Sequence, residues 1–333
     1  MPGRLTDVVV IGGGALGAAT AWWLARAGCS VLMVEEASRG QLRRQARGVA
    51  WSAHPSWSPG ERSLLGEATD AWREVEQQTG AALLTRHDAL DHGLQATAVD
   101  RADAGTWLEP AQAARRWPGM RFDGPVLLRR NAALQVGADH ALSALTAGAV
   151  ALGAVVRYHS PVTAVEPLDD ARVEVRTPDG PIRARRAVIT SVSTPSSPGV
   201  ELHFTPDGDQ PDLPLIAHHD PDLGLVRAAP CAYGHLAVGA GSWPRGTLGD
   251  LRELVQKRWQ RMDVDRPEPV GPEAMSTMPA EVSVQLRGPI VSAAATALGS
   301  VVTVAQAREL ARHVMTADLP DAPPAATASA HGT

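Results

Sequence analysis

The 333-residue sequence is almost without lysine: all but Lys257 of its 31 basic residues are arginine. Lys257 falls within residues 248–261, where Leu251, Leu254, Val255 and Trp259 recur at helical spacing, so it reads as a solvated helix-face lysine. Chemistry that needs a lysine, such as Schiff-base formation, is thereby set aside. Cysteine is scarce too, and Cys29 and Cys231 make neither a disulfide framework nor a metal-ligand pattern. Positive charge is not in excess: the net charge of −5 gives no general attraction to nucleic acid or anionic membranes, and neither is expected as a partner. The longest apolar run, residues 147–156, is broken by glycines and too short to cross a bilayer. The first residues carry no small-residue cleavage site, so a cytoplasmic protein is expected.

What is present alternates between buried strands and amphipathic helices. Residues 7–11 and 30–34 read as buried parallel strands around a helix over 15–27, with Gly28 where a C′ glycine belongs. Residues 38–58 are arginine-rich and read as irregular. Helices are expected over 61–79, 111–117, 138–152 and 303–315, and strands over 155–158, 164–166, 172–177, 187–190 and 289–294. Asp179-Gly180 marks a hairpin after 172–177, and 224–228 alternates with 235–240 as a second hairpin. Residues 194–222, rich in Pro, Asp and Ser, read as a linker or long loop, and a disordered tail is expected over 318–333. The histidines His54, His87, His92, His218, His219 and His235 show no metal-ligand spacing and read as surface or loop residues. The adjacent pair His218-His219 should point to opposite faces of an extended segment.

Gly12, Gly14 and Gly17 form a GxGxxG turn that follows a strand and opens a helix. The first glycine permits the turn, the second lets backbone approach a pyrophosphate, and the third allows helix and strand to pack closely. The helix N-terminus, beginning at Ala15 and Leu16, offers free N–H groups and a positive dipole end to phosphates. Glu35 ends the second strand, where its carboxylate can accept ribose hydroxyls and would repel a 2′-phosphate; Glu36 is its neighbour. The unit over residues 7–36 is thus built for the ADP half of a dinucleotide.

Residues 7–35 resemble the opening of the FAD-dependent D-amino acid oxidase superfamily, in its sarcosine oxidase and glycine oxidase branches. Three further stretches carry the likeness: Ala71-Trp72-Arg73-Glu74 with Thr79-Gly80, the phrase Arg116-Trp117-Pro118-Gly119, and residues 137–165 with Pro161-Val162-Thr163. The resemblance implies an α/β fold, a Rossmann-type FAD-binding domain with an interleaved antiparallel-sheet substrate domain. The first would comprise residues 1–80, 138–200 and 285–317, the second 81–137 and 201–284. It also implies a backbone contact from Val162 to adenine, a loop carrying Arg43, Arg44 and Arg47 near the pyrophosphate and flavin, and a closing turn at Leu298, Gly299 and Ser300.

The sequence departs from that family where chemistry is expected. Ala237 stands where sarcosine oxidases have a lysine that helps oxygen meet the reduced flavin, and Ala274 stands near their covalent flavin cysteine, so FAD should be held non-covalently. Ser276 replaces an arginine that holds the substrate carboxylate, and residues 293–300 have lost a histidine and most glycines of the closing loop. Either another arginine, Arg227, takes the carboxylate, or the substrate is a larger or carrier-linked amine without a free one. Arg227 and Arg47 are the candidate catalytic residues, and Trp51, Trp57 and Trp243 candidate walls of the site. The reading is an FAD-dependent oxidoreductase acting on a C–N bond of an amine or amino acid-like substrate, such as a natural-product tailoring enzyme, with an electron acceptor or carrier protein as partner. Two alternatives stay open: a member that binds FAD or a small ligand without turnover, and an NAD-dependent dehydrogenase.

Overall fold

A computed structural model describes residues 5–46, 50–55, 59–93, 105–192, 200–207, 213–231, 235–240, 248–270, 282–295 and 300–316. Strands β1 (Thr6–Ile11) and β2 (Val31–Val34) flank helix α1 (Ala15–Arg26). Helix α2 (Arg39–Ala46), β3 (Ala50–Ala53), α3 (Pro59–Thr79), β4 (Leu84–His92), β5 (Thr106–Leu108), α4 (Pro110–Arg116), β6 (Val126–Gly137) and α5 (Ala138–Ala151) follow. Then come β7 (Val155–Arg157), β8 (Ala164–Asp169), β9 (Arg172–Thr177), β10 (Gly180–Val192), β11 (Val200–Pro206), β12 (Leu215–Asp220), β13 (Gly224–Pro230) and β14 (Leu236–Ala240). The last elements are α6 (Leu248–Arg258), β15 (Met262–Val270), β16 (Val282–Arg287), β17 (Ile290–Ala295) and α7 (Thr303–Thr316).

The strands form two sheets. In the first, β16-β17-β10-β1-β2-β7 lie side by side, with β8 and β9 attached to β10. Strands β17, β10, β1, β2 and β7 run parallel, and the near-continuous apolar residues of β1 and β2 suit burial on both faces. Helix α1 is buried almost all round because it lies between this sheet and helices α5 and α7. Its alanines allow close approach. A Cβ on Gly148 of α5 would stand 2.8 Å from Trp22 Nε1, so glycine there leaves room for the indole.

The second sheet runs β15-β11-β14-β13-β12-β4-β6-β3, with β5 on β6, and is antiparallel except where β12 meets β4. Helix α6 covers one of its faces through Leu251, Leu254, Val255 and Trp259, which pack with Leu90, Leu128, Ile216, Val226 and Val238. The fold class is the expected one: an α/β unit with a parallel sheet, interleaved along the chain with a mainly antiparallel second sheet. Among the described residues no helix is long and apolar enough to cross a membrane.

Several local expectations need correction. Part of residues 38–58 is regular, forming α2 and β3; good helix formers (Gln41, Leu42, Arg43, Arg44) outweigh the absence of an apolar stripe. Residues 194–222 include β11 and β12, which end at Pro206 and Asp220, rather than a linker throughout. The strands β4, β6, β15 and β16 were not expected at all. The hairpins β9–β10 and β13–β14 pair as anticipated, with Gly180 at φ +115° in the first turn. The tail over 318–333 lies outside the described residues.

Candidate functional site

The carboxyl ends of β1, β10 and β17 meet the N-terminus of α1, at the point where the chain winds to either side of β1. A cavity of about 200 Å³ opens there, lined by Gly12, Gly14, Leu16, Glu35, Thr190 and Thr303 among others. The three glycines do different work. Gly12 has φ +100°, and a Cβ on it would stand 2.6 Å from Thr190 Oγ1. A Cβ on Gly17 would collide with the carbonyl oxygen of Gly12, so helix and turn close only around glycine. A Cβ on Gly14 would meet no protein atom within 4 Å. Protein packing therefore does not require Gly14 to be bare, and the space in front of it is open.

Gly14 is the N-cap of α1 and supplies no side-chain cap, leaving the first N–H groups of Ala15, Leu16 and Gly17 for a ligand. Glu35 reaches back over the turn. Its carboxylate accepts the Gly13 N–H and, at 2.7 Å, the Ala37 N–H, which fixes it at the cavity rim. Thr190 Oγ1 donates to Ile11 O at 2.9 Å and ties the turn to β10. A smaller space of about 20 Å³ beyond Gly13 is lined by Arg39, Thr146 and Tyr158. A glycine turn, a helix N-terminus and a fixed carboxylate are the donor and acceptor set that pyrophosphate and ribose require, so the residues present fit the ADP end of FAD.

The closing segment is braced from below. Trp72 Nε1 donates to Val301 O at 2.8 Å and Trp23 Nε1 to Val304 O at 2.9 Å. Ser300 is fully buried and caps α7: its N–H donates to Thr303 Oγ1 at 3.0 Å and its Oγ accepts the Val302 N–H at 3.3 Å. Ser300 is therefore a capping residue, while Thr303 is the one that lines the cavity. Leu298, Gly299 and Arg47 lie outside the described residues, as do Trp57, Trp243, Ala274 and Ser276. Arg43 and Arg44 lie on α2. Glu36 is exposed and does not line the cavity, and Val162 packs beside Val9, Leu32 and Val34 behind it. Sequence reading missed Thr190, Ser191 and Thr303 as lining residues. Their signal was positional, since parallel sheets place sites at strand carboxyl ends.

The second sheet turns a different face away from α6. Cross-strand register puts Asp91 opposite Ala217, Ala217 opposite Arg227, Arg227 opposite Gly239, and Arg129 opposite Ala89, so these side chains share that face. Ala89, Ala133, Leu215, Ala217 and Ala229 form its small apolar floor. Asp91 and Arg129 are buried and directly ion-paired, with His219 Nε2 3.6 Å from Asp91 Oδ1. Arg227 is 5% exposed, not the outward-facing strand arginine that its position in a hairpin allows. Ala237, in place of a lysine, is buried on the same face opposite Ala229. Gln135 bridges this sheet, donating to Ser52 Oγ at 3.1 Å and Pro230 O at 2.5 Å.

His54 is fully buried beside this face, with Nε2 3.1 Å from the Leu90 carbonyl, which can only accept, so Nε2 carries the proton. Burial pushes its pKa down to about 4; Arg129 and Arg227 also lower it and Asp91 opposes them, so the imidazole is neutral near pH 7. His92 and His218 are buried too, against the expectation of surface histidines. His218 and His219 do point to opposite faces, toward His92 and Asp91 respectively. Trp51 is buried in the main core at 6.4 Å from Trp72, so it packs rather than walls a pocket.

The family model described as FAD dependent oxidoreductase, DAO, matches residues 7–194, more than half of the sequence. The chain belongs to this family. An N-methyl-L-tryptophan oxidase of Yersinia pestis (strain Pestoides F) is 24% identical over 197 residues, 56% of this chain and 53% of that protein. The chain therefore spans about half the length of the curated relatives it matches. Among solved structures, NikD, an unusual amino acid oxidase essential for nikkomycin biosynthesis, superposes with a TM-score of 0.70 at 19% identity, covering 96% of each chain. Glycine oxidase from Geobacillus kaustophilus gives 0.67 at 18% identity, covering 94% of this chain and 95% of the other. At such identities the likeness shows the fold. FAD is the cofactor in the family's own description, and that displaces the nicotinamide alternative.

Proposed function

We propose that this protein holds FAD non-covalently along the glycine turn and Glu35, and oxidises the C–N single bond of an amine or amino acid-like substrate to C=N, the carbon giving up a hydride equivalent to the flavin and the nitrogen a proton. The observation that carries the reading is Gly14, bare where the protein has no need of it, facing a cavity bordered by a helix N-terminus and a fixed carboxylate. Bound FAD supplies the electron sink. The chain's own residues supply binding, orientation and electrostatics. In this proposal the first sheet and its helices hold the cofactor, and the face of the second sheet carrying Arg227, Asp91 and Arg129 addresses the substrate.

Two substrate classes follow from the side chains on that face. Arg227 is buried there, and a buried carboxylate without a partner costs several kcal/mol, so Arg227 is our choice for the anchor of a free carboxylate. The other class is a larger or carrier-linked amine whose carboxylate is absent or masked. The test is titration of the flavin spectrum with small carboxylates such as benzoate and proline. Perturbation that disappears in Arg227→Ala installs the anchor; no perturbation in the wild type favours the masked amine.

A second reading, cofactor binding without turnover, draws on Ala237, a buried methyl where oxygen-reactive relatives carry a cation. Anaerobic bleaching of the flavin bands by an amine substrate separates the readings. Reoxidation is expected to be faster with an artificial acceptor than with oxygen, and rapid hydrogen peroxide release would contradict that.

A further inference from the structure

On the face of the second sheet covered by α6, away from the proposed reacting face, two buried histidines meet. His92 of β4 and His218 of β12 are register partners, and their rings stack with centroids 4.8 Å apart and planes 21° apart. Their Nδ1 atoms stand 3.0 Å from each other. His92 Nε2 lies 3.1 Å from Asp123 Oδ1, and Arg258 Nη1 of α6 lies 2.6 Å from that same oxygen. His218 Nε2 faces Asp220 Oδ2 at 3.5 Å. Phe122 sits edge-on to His92 at 5.7 Å, and His219 lies across the sheet. These are the titratable and charged groups about the pair among the described residues.

Proton counting constrains this arrangement. Two Nδ1 atoms at hydrogen-bond distance need one proton between them, so two neutral imidazoles must adopt opposite tautomers. Asp123 Oδ1, 3.1 Å from His92 Nε2, is nearer than Asp220 Oδ2 is to His218 Nε2 at 3.5 Å, so we place the Nε2 proton on His92, which leaves its Nδ1 as an acceptor. His218 then donates its Nδ1–H and turns a bare Nε2 toward the Asp220 carboxylate. One added proton fits on that Nε2, where it meets a carboxylate. A second would have to go on His92 Nδ1, setting N–H against N–H.

We propose that the His92–His218 pair is an acid-opened latch that accommodates one proton and is forced apart by the second. What it holds is a junction. Arg121 N–H donates to Arg258 O at 2.8 Å and Gln260 N–H to Gly119 O at 2.9 Å, joining the segment before β6 to the end of α6. The Asp123–Arg258 bond lies alongside and keeps the Asp123 carboxyl down at about 2. Burial, then Arg258, depresses His92 to about 4; burial, then His92, does the same for His218. A folded pKa below the unfolded value of 6.5 means stability is fully present above 6.5. It is lost as pH falls through the window from 6.5 toward 4.

The experiment uses the full chain with its flavin as isolated. Ring 15N shifts at pH 7 should show His92 as the Nε2–H tautomer and His218 as the Nδ1–H tautomer; the same tautomer in both would overturn the proposal. Hydrogen exchange, corrected for intrinsic rates, should then accelerate between pH 6 and 4 at the amides of Arg121 and Gln260, by more than tenfold and up to about a hundredfold per pH unit, since two imidazoles take up protons on opening. Amides of α1 should not change. In His218→Phe, which keeps a stacked ring but leaves only His92 to titrate, the acceleration should drop to at most about tenfold per pH unit. An unchanged acid response in that variant, or equal acceleration at α1, would overturn the proposal.

Discussion

At the carboxyl ends of the first sheet, three glycines within one turn shape a cavity from backbone, and a single carboxylate closes it. The second sheet builds its face the other way, from charged side chains on strands far apart in sequence, held by cross-strand register over a floor of alanines. The difference lies in what each can lose. The backbone site has a position, Gly14, that protein packing leaves free and that the proposed function assigns to a ligand. The side-chain face has positions, Asp91 and Arg129, whose loss leaves an uncompensated buried charge.

The largest effect should therefore come from Asp91→Asn, which removes the carboxylate paired with the buried Arg129 guanidinium. Breaking a buried pair from one side costs about 3–5 kcal/mol, read as a shift of the denaturant midpoint. Flavin bound per folded molecule should stay unchanged, and its loss would blur the division between the sheets. Gly17→Ala comes next. The new methyl meets the Gly12 carbonyl and forces helix and strand apart, at about 1–3 kcal/mol, and here stability and flavin should fall together. The smallest is Trp72→Phe. Loss of the hydrogen bond to Val301 O and of ring volume should cost roughly 1–2 kcal/mol, with weakened flavin retention because the turn beside Thr303 loosens. An Arg227→Ala variant, by contrast, should keep its flavin and change only its response to small carboxylates.

What was legible in the sequence follows the same line. The phosphate turn reads directly because Gly12, Gly14 and Gly17 act through local geometry that a spacing encodes, and Glu35 follows from strand length. The Asp91–Arg129 pair is invisible there, since only the register of β4 on β6 brings the two together. Ser300 and Thr303 show a finer failure: the turn was located, but which residue caps and which lines depends on the last half-turn of geometry. His54, His92 and His218 looked like surface residues because a single polar residue in a short strand carries no mark of burial. Strands β11 and β12 were hidden by the many Pro and Asp around them in sequence, although Leu202 and Phe204 alternate with Glu201 and His203 as a half-buried strand should.

The central claim is that Gly14 is bare for the sake of a flavin nucleotide, and one measurement bears on it most directly. Wild-type protein and Gly14→Val, matched for folded fraction by near-UV circular dichroism and thermal midpoint, are compared for flavin absorbance per polypeptide. The wild type should be yellow and release its flavin on denaturation, and the variant should be folded, equally stable and colourless. A folded Gly14→Val protein with undiminished flavin, or a wild type that takes up none when FAD is supplied, would contradict it.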